Sequence, residues 1–252
     1  MSFRAGRFLL LLGACLLPAA GVGEAVVAQP PTVLVVAIDD NYPPYVFRDA
    51  DGMLTGYLVD SWRLWERKTG VPVELLASDW SSAQQRMRDG QSAVIDTLFR
   101  TPARERLFEF SPPYESIPVS IFTHVTIGGI VDVGTLRGFL VGVKAGDACV
   151  ERLADAGIDT VQAFPSYQAL VKAAIDGTVR VFCLDDPPAN YLLYLNNAER
   201  SFRQAFTLYT GEFHRAVRKG DAATLALLQR GFDAITPAEE RSLRQKWMGA
   251  PF

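Results

Sequence analysis

Strand signals and helix signals alternate along this chain, and this alternation limits the possible folds more than any other feature. A run of apolar, mostly β-branched residues at 32–38 predicts a buried first strand. A predicted helix at 57–68 follows, then a strand at 71–76, a helix at 81–88 and a strand at 94–99. Strands that alternate with amphipathic helices form mainly parallel sheets flanked by helices, so the chain is predicted to be an α/β protein.

The alternation then starts again. Strands are predicted at 140–143, 161–164 and 179–184, with helices through about residue 156, at 167–175 and in the tail at 222–247. Pro187 and Pro188 are expected to delay the helix after the last of these strands. Two series of similar length predict two lobes, 29–118 and 119–208, with 209–252 returning to the first. Short strands near 118–122 and 208–215 are expected to cross between the lobes.

The N-terminus has the pattern of an export signal. Arg4 and Arg7 precede an apolar stretch at 8–17, and small residues at 26–28 offer a cleavage site. Residues 1–28 are therefore predicted to be a signal peptide that directs the protein to the periplasm. Processing as a lipoprotein at Cys15 is the alternative. No later stretch is long and apolar enough to predict a membrane span.

Composition and residue spacing exclude several classes of function. A formal net charge of −3 argues against nucleic acid as a partner. The two histidines, His124 and His214, have no metal-ligand spacing, and neither a phosphate-binding loop nor a nucleophile motif occurs, so no metal and no cofactor are predicted. Cys149 and Cys183 both fall in the predicted second lobe, so in an oxidising compartment we hypothesise a disulfide between them.

A cluster of arginines lies at a predicted helix start. Thr101 followed by Pro102 is a helix-start signal, because the hydroxyl caps free N–H groups and proline fits the first helical position. Arg104 falls in the first turn, close to Arg100 and Arg106. Free backbone donors and guanidinium groups together form a seat for a carboxylate or another small anion. The alternative is that these arginines are solvated surface charges.

The same segment carries a family resemblance. Thr-Pro-x-Arg at 101–104, followed by Phe-Ser-x-Pro-Tyr at 110–114, resembles the signature of bacterial extracellular solute-binding proteins, family 3. Asp-x-x-Tyr-x-Pro-Tyr at 39–45 and segments at 52–60, 136–143, 216–221 and 246–249 are similar to its other motifs, in the same order. The resemblance implies the two-lobed periplasmic-binding-protein fold of type II, in which each lobe is a mainly parallel sheet flanked by helices and the ligand cleft lies between the lobes.

The resemblance also implies roles for individual residues. Arg104 takes the position that grips the α-carboxylate of the ligand, and Asp185 matches the carboxylate that accepts bonds from its α-amino group. Tyr42 and Trp80 are implied as aromatic walls of the cleft, and Asp39 heads the motif that contains Tyr42. Packing in the core is the alternative for both aromatic residues, and a helix cap is the alternative for Asp185.

Some positions depart from the family pattern. Phe99 stands where a hydroxyl residue is usual, although Thr97 still offers a hydroxyl. Asp147 replaces the Ser or Thr of a Gly-Ser/Thr pair, where a carboxylate repels an anionic group of the ligand or attracts a cationic one. Asp96 faces a ligand cation or, as is favoured, pairs with one of two arginines, Arg100 or Arg104. These departures leave the anion-binding position of Arg104 intact. They weaken the implication that the ligand is a standard α-amino acid.

The implied function is that of a periplasmic protein that closes around a small polar, carboxylate-bearing, amino-acid-like ligand. Segments at 99–102 and 182–189 resemble periplasmic input modules of sensor proteins, so delivery to an ABC transporter permease and ligand sensing for a membrane partner are both open. No membrane-spanning segment follows, which favours a free binding protein, and a monomer is expected. The competing class is an enzyme on the same fold, a cyclohexadienyl or prephenate-type dehydratase. No acidic residue has a distinctive catalytic context, so the chain is predicted not to be an enzyme.

Overall fold

The computed structural model of the protein describes Met1 and residues 33–249. The predicted signal peptide at 1–28 and the lipoprotein alternative at Cys15 lie outside the described residues. Within the part of the chain that is described, no helix combines the length and the apolar character needed to cross a membrane.

The first βα series folds as the alternation predicts. Its elements in chain order are β1 (Leu34–Asp39), β2 (Asn41–Tyr42), β3 (Val46–Arg48), β4 (Leu54–Thr55), α1 (Tyr57–Thr69), β5 (Val73–Ser78), α2 (Trp80–Arg88), β6 (Val94–Phe99), α3 (Pro102–Glu105) and β7 (Phe108–Phe110). The central strand β1 pairs in parallel with β5 on one side and β6 on the other. The short strands β2, β3 and β4 form a separate antiparallel sheet that the sequence did not predict.

The second series has the same plan. Its elements are β8 (Glu115–His124), a 3-10 helix (Val133–Leu136), β9 (Val141–Lys144), α4 (Ala148–Asp155), β10 (Val161–Phe164), α5 (Tyr167–Ile175), β11 (Val181–Asp185) and α6 (Asp186–Leu195). Here β9 pairs in parallel with β10 and β11. The expected delay before α6 is wrong, because Pro187 and Pro188 lie in the first turn, where backbone N–H groups have no helical acceptor to lose.

The last part of the chain consists of β12 (Phe202–Arg218), α7 (Ala222–Asp233) and α8 (Pro237–Met248). The helical tail is divided at Thr236, whose side chain caps α8 in a reciprocal capping box with Glu239. The crossing segments β8 and β12 are 10 and 17 residues long, so the expectation of short strands is wrong. The two strands pair antiparallel from Phe202–His124 to Phe213–Glu115. This pairing provides hydrogen-bond partners for the backbone N–H and C=O groups along both strands.

All of these strands except β2, β3 and β4 belong to one mixed sheet. Its order is β10-β9-β11-β8-β12-β6-β1-β5, with β7 attached to β12. The two parallel groups lie at opposite ends, and the antiparallel pair β8 and β12 separates them. We call the β1, β5 and β6 side the first lobe and the β9, β10 and β11 side the second lobe. The lobe limits at residues 118 and 208 stay a prediction.

A disulfide joins Cys149 at the start of α4 to Cys183 in β11, with the two Cα atoms 6.6 Å apart. The pairing predicted from the sequence is confirmed. Both cysteines are buried in the core of the second lobe. The bond therefore fixes the N-terminal end of α4 against the middle of β11.

Candidate functional site

Four strands from both lobes end at one cavity. Asp39, Phe99, Lys144 and Asp185 are the last residues of β1, β6, β9 and β11, and all four line it. In α/β proteins, ligands bind in the crevice outside the carboxyl ends of parallel strands. This cavity is therefore the candidate ligand site, and we call it the cleft cavity.

The structure brings together every residue that the sequence predicted for the site. The cleft cavity is lined by Asp39, Tyr42, Trp80, Thr97, Phe99, Arg104, Asp147 and Asp185. Its volume is about 20 Å³, which is room for about one water molecule. A larger ligand therefore requires the lobes to separate or the lining side chains to move.

The sequence did not predict four further lining residues, Lys144, Ala148, Tyr167 and Phe213. A signal existed for Lys144, because it directly follows the predicted strand at 140–143 and strand ends meet at the cleft. Tyr167 is the first residue of α5, beside its cap Ser166. No local signal marks Phe213, which lies inside the long strand β12 and reaches the cavity only because β12 crosses between the lobes.

Arg104 is the one arginine of its cluster that points inward. Its side chain is 6 % exposed, and it donates to the carbonyl oxygen of Phe99 at 2.8 Å and to that of Gly146 at 3.1 Å. Burial lowers its pKa from the ordinary arginine value, and the negative charge of Asp147 opposes this. Arg100 is an exposed partner of Glu105, and Arg106 is exposed, so the surface alternative holds for these two.

The carbonyl oxygen of Gly146 is a junction between the lobes. It accepts hydrogen bonds from Trp80 Nε1 at 3.1 Å, Gln84 Nε2 at 3.0 Å and Arg104 Nη2 at 3.1 Å, all from the first lobe. A carbonyl oxygen has two lone pairs, so these three donors outnumber them. Beside it, Ser81 Oγ donates to the carbonyl oxygen of Ala145 at 3.2 Å. This turn of the second lobe therefore holds the closed arrangement.

Lys144 and Asp39 form a buried ion pair across the cleft. Their side chains are 1 % and 2 % exposed, and the Lys144 ammonium also lies 4.1 Å from the centroid of the Tyr167 ring. Burial raises the pKa of Asp39, and the neighbouring ammonium opposes the rise. Each charge therefore depends on the other for its stability in the closed form.

Two further carboxylates, Asp147 and Asp185, each bind a tyrosine hydroxyl. Tyr42 donates to Asp185 Oδ2 at 2.5 Å, and Tyr167 donates to Asp147 Oδ2. Among the described residues, Asp185 Oδ1 has no hydrogen-bond partner. Burial, and after it the negative charge of Asp147, raises the pKa of Asp185 well above the ordinary value. Asp185 caps no backbone N–H of α6 with its side chain, so its helix-cap alternative is wrong.

The aromatic residues both pack and face the site. The Tyr42 ring contacts those of Tyr45, Tyr167 and Phe213 edge to face, with centroids 5.2–5.7 Å apart. The Trp80 ring centroid lies 5.9 Å from Arg104 Cζ. Tyr42 and Trp80 therefore both line the cleft cavity and pack against neighbouring side chains.

Asp96 has other partners than those predicted, and the hydroxyl of Thr97 donates to the backbone. Thr97 has φ +60°, which is strained for a β-branched residue, and its hydroxyl donates to the Asp96 carbonyl oxygen. The Asp96 carboxylate accepts from Thr97 N, Trp62 Nε1 and the Tyr114 hydroxyl, each at 2.7 Å. The expected pairing of Asp96 with Arg100 or Arg104 is wrong, because Arg215 takes that place, with its Nε 3.5 Å from Asp96 Oδ2.

No group of three or more His, Cys, Asp or Glu side chains suited to a metal ion occurs in the described part of the chain. The polar groups of the cleft cavity are instead paired charges and hydroxyls. This arrangement suits a small organic molecule that carries charges of both signs.

A polar cavity enclosed by strand ends from two lobes defines a two-lobed solute-binding protein. The chain belongs to the bacterial extracellular solute-binding proteins, family 3, whose pattern matches residues 34–250. The resemblance predicted from the sequence motifs is confirmed.

Individual relatives agree with this assignment. The chain is 27 % identical over 230 residues to the L-cystine-binding protein TcyJ of Escherichia coli strain K12, which covers 86 % of this chain and 83 % of that protein. The fold of the present chain matches that of a histidine kinase sensor domain similar to periplasmic binding proteins, with a TM-score of 0.81 and 24 % identity. The match covers 86 % of this chain and 96 % of the sensor domain.

A third comparison concerns the enzyme alternative. The fold also matches AncCDT-1, an ancestral amino acid-binding protein described as a precursor of cyclohexadienyl dehydratase, with a TM-score of 0.75 and 21 % identity over 86 % of this chain and 95 % of that one. At this identity the match shows the fold alone. The fold class predicted from the sequence is confirmed by both structural comparisons.

Proposed function

We propose that the cleft closes around a small amino-acid-like zwitterion, whose carboxylate binds Arg104 and whose ammonium group binds Asp185. One observation carries the proposal. Arg104 and Asp185 are 6 % and 3 % exposed in the same cavity, and Asp185 Oδ1 has no hydrogen-bond partner among the described residues. A buried acceptor without a donor is costly, and a ligand ammonium supplies that donor.

The other charged groups of the cleft already have partners within the protein. Lys144 and Asp39 neutralise each other, and Asp147 accepts from the Tyr167 hydroxyl and from the backbone N–H of Cys149 at 3.1 Å. The guanidinium of Arg104 and the ionised form of Asp185 remain. A ligand with one positive and one negative group supplies a counter-charge to each of these two residues.

A protein acceptor competes with the proposed ligand carboxylate for Arg104. Arg104 Nη2 now donates to the neutral carbonyl oxygen of Gly146, and a ligand carboxylate forms stronger, charge-assisted bonds with the same fork of donors. We therefore expect the ligand to displace this contact while Trp80 and Gln84 keep theirs.

The proposed setting is the periplasm, after removal of residues 1–28. The relative TcyJ binds L-cystine by its name, and another match is a sensor domain of a histidine kinase. Delivery to an ABC importer and signalling to a membrane partner both require a closed, ligand-bound form. A monomer that closes by itself is sufficient for either use.

Calorimetric titration with a panel of amino acids, dicarboxylates and amines tests the proposal. The ligand should be a zwitterion, and Arg104→Met should weaken it by about tenfold or more, the scale of one charged hydrogen bond. The matched control is Arg100→Met, because Arg100 lies four residues earlier and is exposed. Equal affinity in the wild type and Arg104→Met would remove Arg104 from the site.

A second candidate function is dehydration on the same fold. Asp185 is a buried carboxyl group whose pKa is raised well above the ordinary value by burial, and this is the direction that a general acid requires. AncCDT-1 supplies a structural precedent for the fold only. Incubation with prephenate decides between the two: a dehydratase converts it to phenylpyruvate, water and carbon dioxide, whereas a binding protein leaves it unchanged.

A further inference from the structure

A second cavity lies in the first lobe, apart from the cleft. Its volume is about 190 Å³, and α1, α7, α8 and the segment 111–114 enclose it. Among the residues that the structure describes, its lining shares none with the cleft cavity. We call it the rear cavity. It has room for one small organic molecule, whereas the cleft cavity in this arrangement has room for about one water molecule.

Arg215 is the chemical focus of the rear cavity. This residue of β12 is 6 % exposed and lines the cavity. Its Nε has no hydrogen-bond partner and lies 3.5 Å from Asp96 Oδ2. Within residues 33–249, neither of its Nη atoms donates a hydrogen bond to the protein. Because a guanidinium group has five N–H donors, this buried cation faces the cavity with unused donors.

Aromatic rings hold the guanidinium group in place without using those donors. Arg215 Cζ lies 3.3 Å from the centroid of the Phe232 ring and 4.0 Å from that of Tyr114. Contacts with ring faces stabilise the charge. The N–H groups at the edge of the guanidinium plane remain available, and their geometry matches a carboxylate.

The rest of the lining selects the kind of carboxylate. The walls carry apolar side chains, Leu228, Phe232, Ile235 and Leu243, together with the hydroxyl groups of Tyr57 and Ser61. Two exposed acids, Asp233 and Glu240, also line the cavity. Glu240 is paired with Arg244, whose Nε lies 3.3 Å away, whereas Asp233 accepts from the neutral amide of Gln229 at 2.7 Å. The charge of Asp233 disfavours a plain anion beside it. A molecule with an inward carboxylate and an outer ammonium group satisfies both ends.

We infer that the rear cavity is a second binding site, for a small zwitterion with an apolar body, such as an amino acid with a side chain of about four carbon atoms. Its carboxylate binds Arg215, its apolar part packs on α7 and α8, and its ammonium group faces Asp233, beside the Glu240–Arg244 pair. The site is independent of the proposed cleft ligand, because it uses different residues and a different face of the first lobe.

Two tryptophans make the sites separately observable. Trp62 Nε1 donates to Asp96 Oδ2 at 2.7 Å, and its ring lies 5.7 Å from Arg215 Cζ, so its indole resonance reports on the rear cavity. Trp80 Nε1 donates to Gly146 and reports on the cleft. Trp62→Phe and Trp80→Phe variants would assign the two resonances in proton–nitrogen spectra of the purified protein.

The test titrates L-leucine while both resonances are followed. Leucine should shift the Trp62 signal saturably, isovalerate, which lacks the amine, should do so more weakly, and isopentylamine, which lacks the carboxylate, should leave it unmoved. Absence of a Trp62 shift with leucine up to its solubility limit would overturn the inference. A shift confined to Trp80 would overturn it too, while supporting the cleft proposal.

Variants then locate the site. Arg215→Met should weaken leucine binding at the Trp62 signal by about tenfold or more, and Arg218→Met, an exposed neighbour on the same strand, should leave it unchanged. Leu243→Phe fills the cavity and keeps Arg215, so it should also abolish the shift even where Arg215→Met does not fold. Arg104→Met should preserve the Trp62 response. Binding that is retained in both Leu243→Phe and a folded Arg215→Met would refute the inference.

Discussion

Lys144 and Asp39 form an ion pair that connects the ends of two strands from opposite lobes, β9 and β1, with both side chains almost completely buried. Each of these residues continues a buried parallel strand, so neither can move far without its sheet. The ion pair therefore forms only when the two lobes are close together, as they are in this structure. Its loss should be felt both in stability and in the closure of the cleft.

Lys144→Met should destabilise the protein, because it leaves the Asp39 carboxylate buried and unpaired. We expect a loss of about 3 kcal/mol in the free energy of unfolding, at the low end for a broken buried pair, since opening of the cleft lets water reach the remaining charge. The double variant Lys144→Met/Asp39→Asn should recover most of this loss. Urea denaturation of the single and double variants measures the coupling.

The control for this cycle is the exposed pair Lys172 and Asp176, whose side chains are 73 % and 52 % exposed. Lys172→Met should change stability by at most about 0.5 kcal/mol. Equal effects of Lys144→Met and Lys172→Met would contradict a structural role for the buried pair.

Asp185 should make ligand binding depend on pH. Because its pKa is raised, the carboxyl group is protonated at low pH and cannot attract an ammonium group. A ligand ammonium favours the ionised form, so binding releases a proton and affinity falls as pH falls through the raised pKa. Calorimetry at several pH values, and in buffers of different ionisation enthalpy, measures both effects. An affinity that is flat with pH would exclude this role.

The empty protein should show the opposite trend. A carboxyl group with a raised pKa in the folded state contributes stability that is fully present below its unfolded pKa of about 3.9. That contribution is lost as pH rises through the raised folded pKa. Asp185→Asn carries no titrating proton at this position, so it should flatten both pH profiles. Thermal denaturation across the same pH series provides the measurement.

Gly146→Ala should weaken closure of the cleft. A Cβ atom at this position would lie 2.9 Å from Gln84 Nε2 and 3.1 Å from Ser81 Oγ, both in the opposite lobe. Its φ of +73° adds strain of about 1 to 2 kcal/mol for alanine. We expect lower ligand affinity and a larger radius of gyration in X-ray scattering with saturating ligand.

Gly177→Ala separates the effect of backbone strain from that of contact between the added Cβ atom and the opposite lobe. Gly177 has a similar φ of +80°, but no atom lies within 4 Å of its added Cβ. This variant should lose similar stability and keep ligand affinity. If the two variants bind alike, contact with the opposite lobe is not what Gly146 protects.

Reduction of the Cys149–Cys183 bond should destabilise the second lobe. The cysteines are 34 residues apart, and loop-closure entropy predicts a loss of about 3 to 4 kcal/mol. Asp147 and Asp185 each lie two residues from one of these cysteines, so ligand affinity should fall as well. Urea denaturation of Cys149→Ala/Cys183→Ala beside the wild type checks this, and unchanged midpoints would show that core packing alone holds α4 against β11.

Local elements followed closely from the sequence. Strand β6, strand β10 and helix α5 have the bounds that their apolar patterns predicted. These elements have strong periodicity and clear end signals, such as Ser166, which caps α5 through the backbone N–H of Ala169 at 3.1 Å. The prediction failed where a neighbour sets the length, because β8 and β12 extend each other by mutual pairing over distant parts of the chain.

The motifs and strand ends in the sequence by themselves determined the α/β class, the family and the eight residues predicted to line the cleft, because these depend on patterns within short segments. Only the tertiary structure decided how the charges pair. Lys144 meets Asp39 across a sequence separation of 105 residues, and Arg215 rather than Arg104 meets Asp96. Pairing of this kind depends on which strand ends the sheet order brings together, and no local pattern encodes that distance.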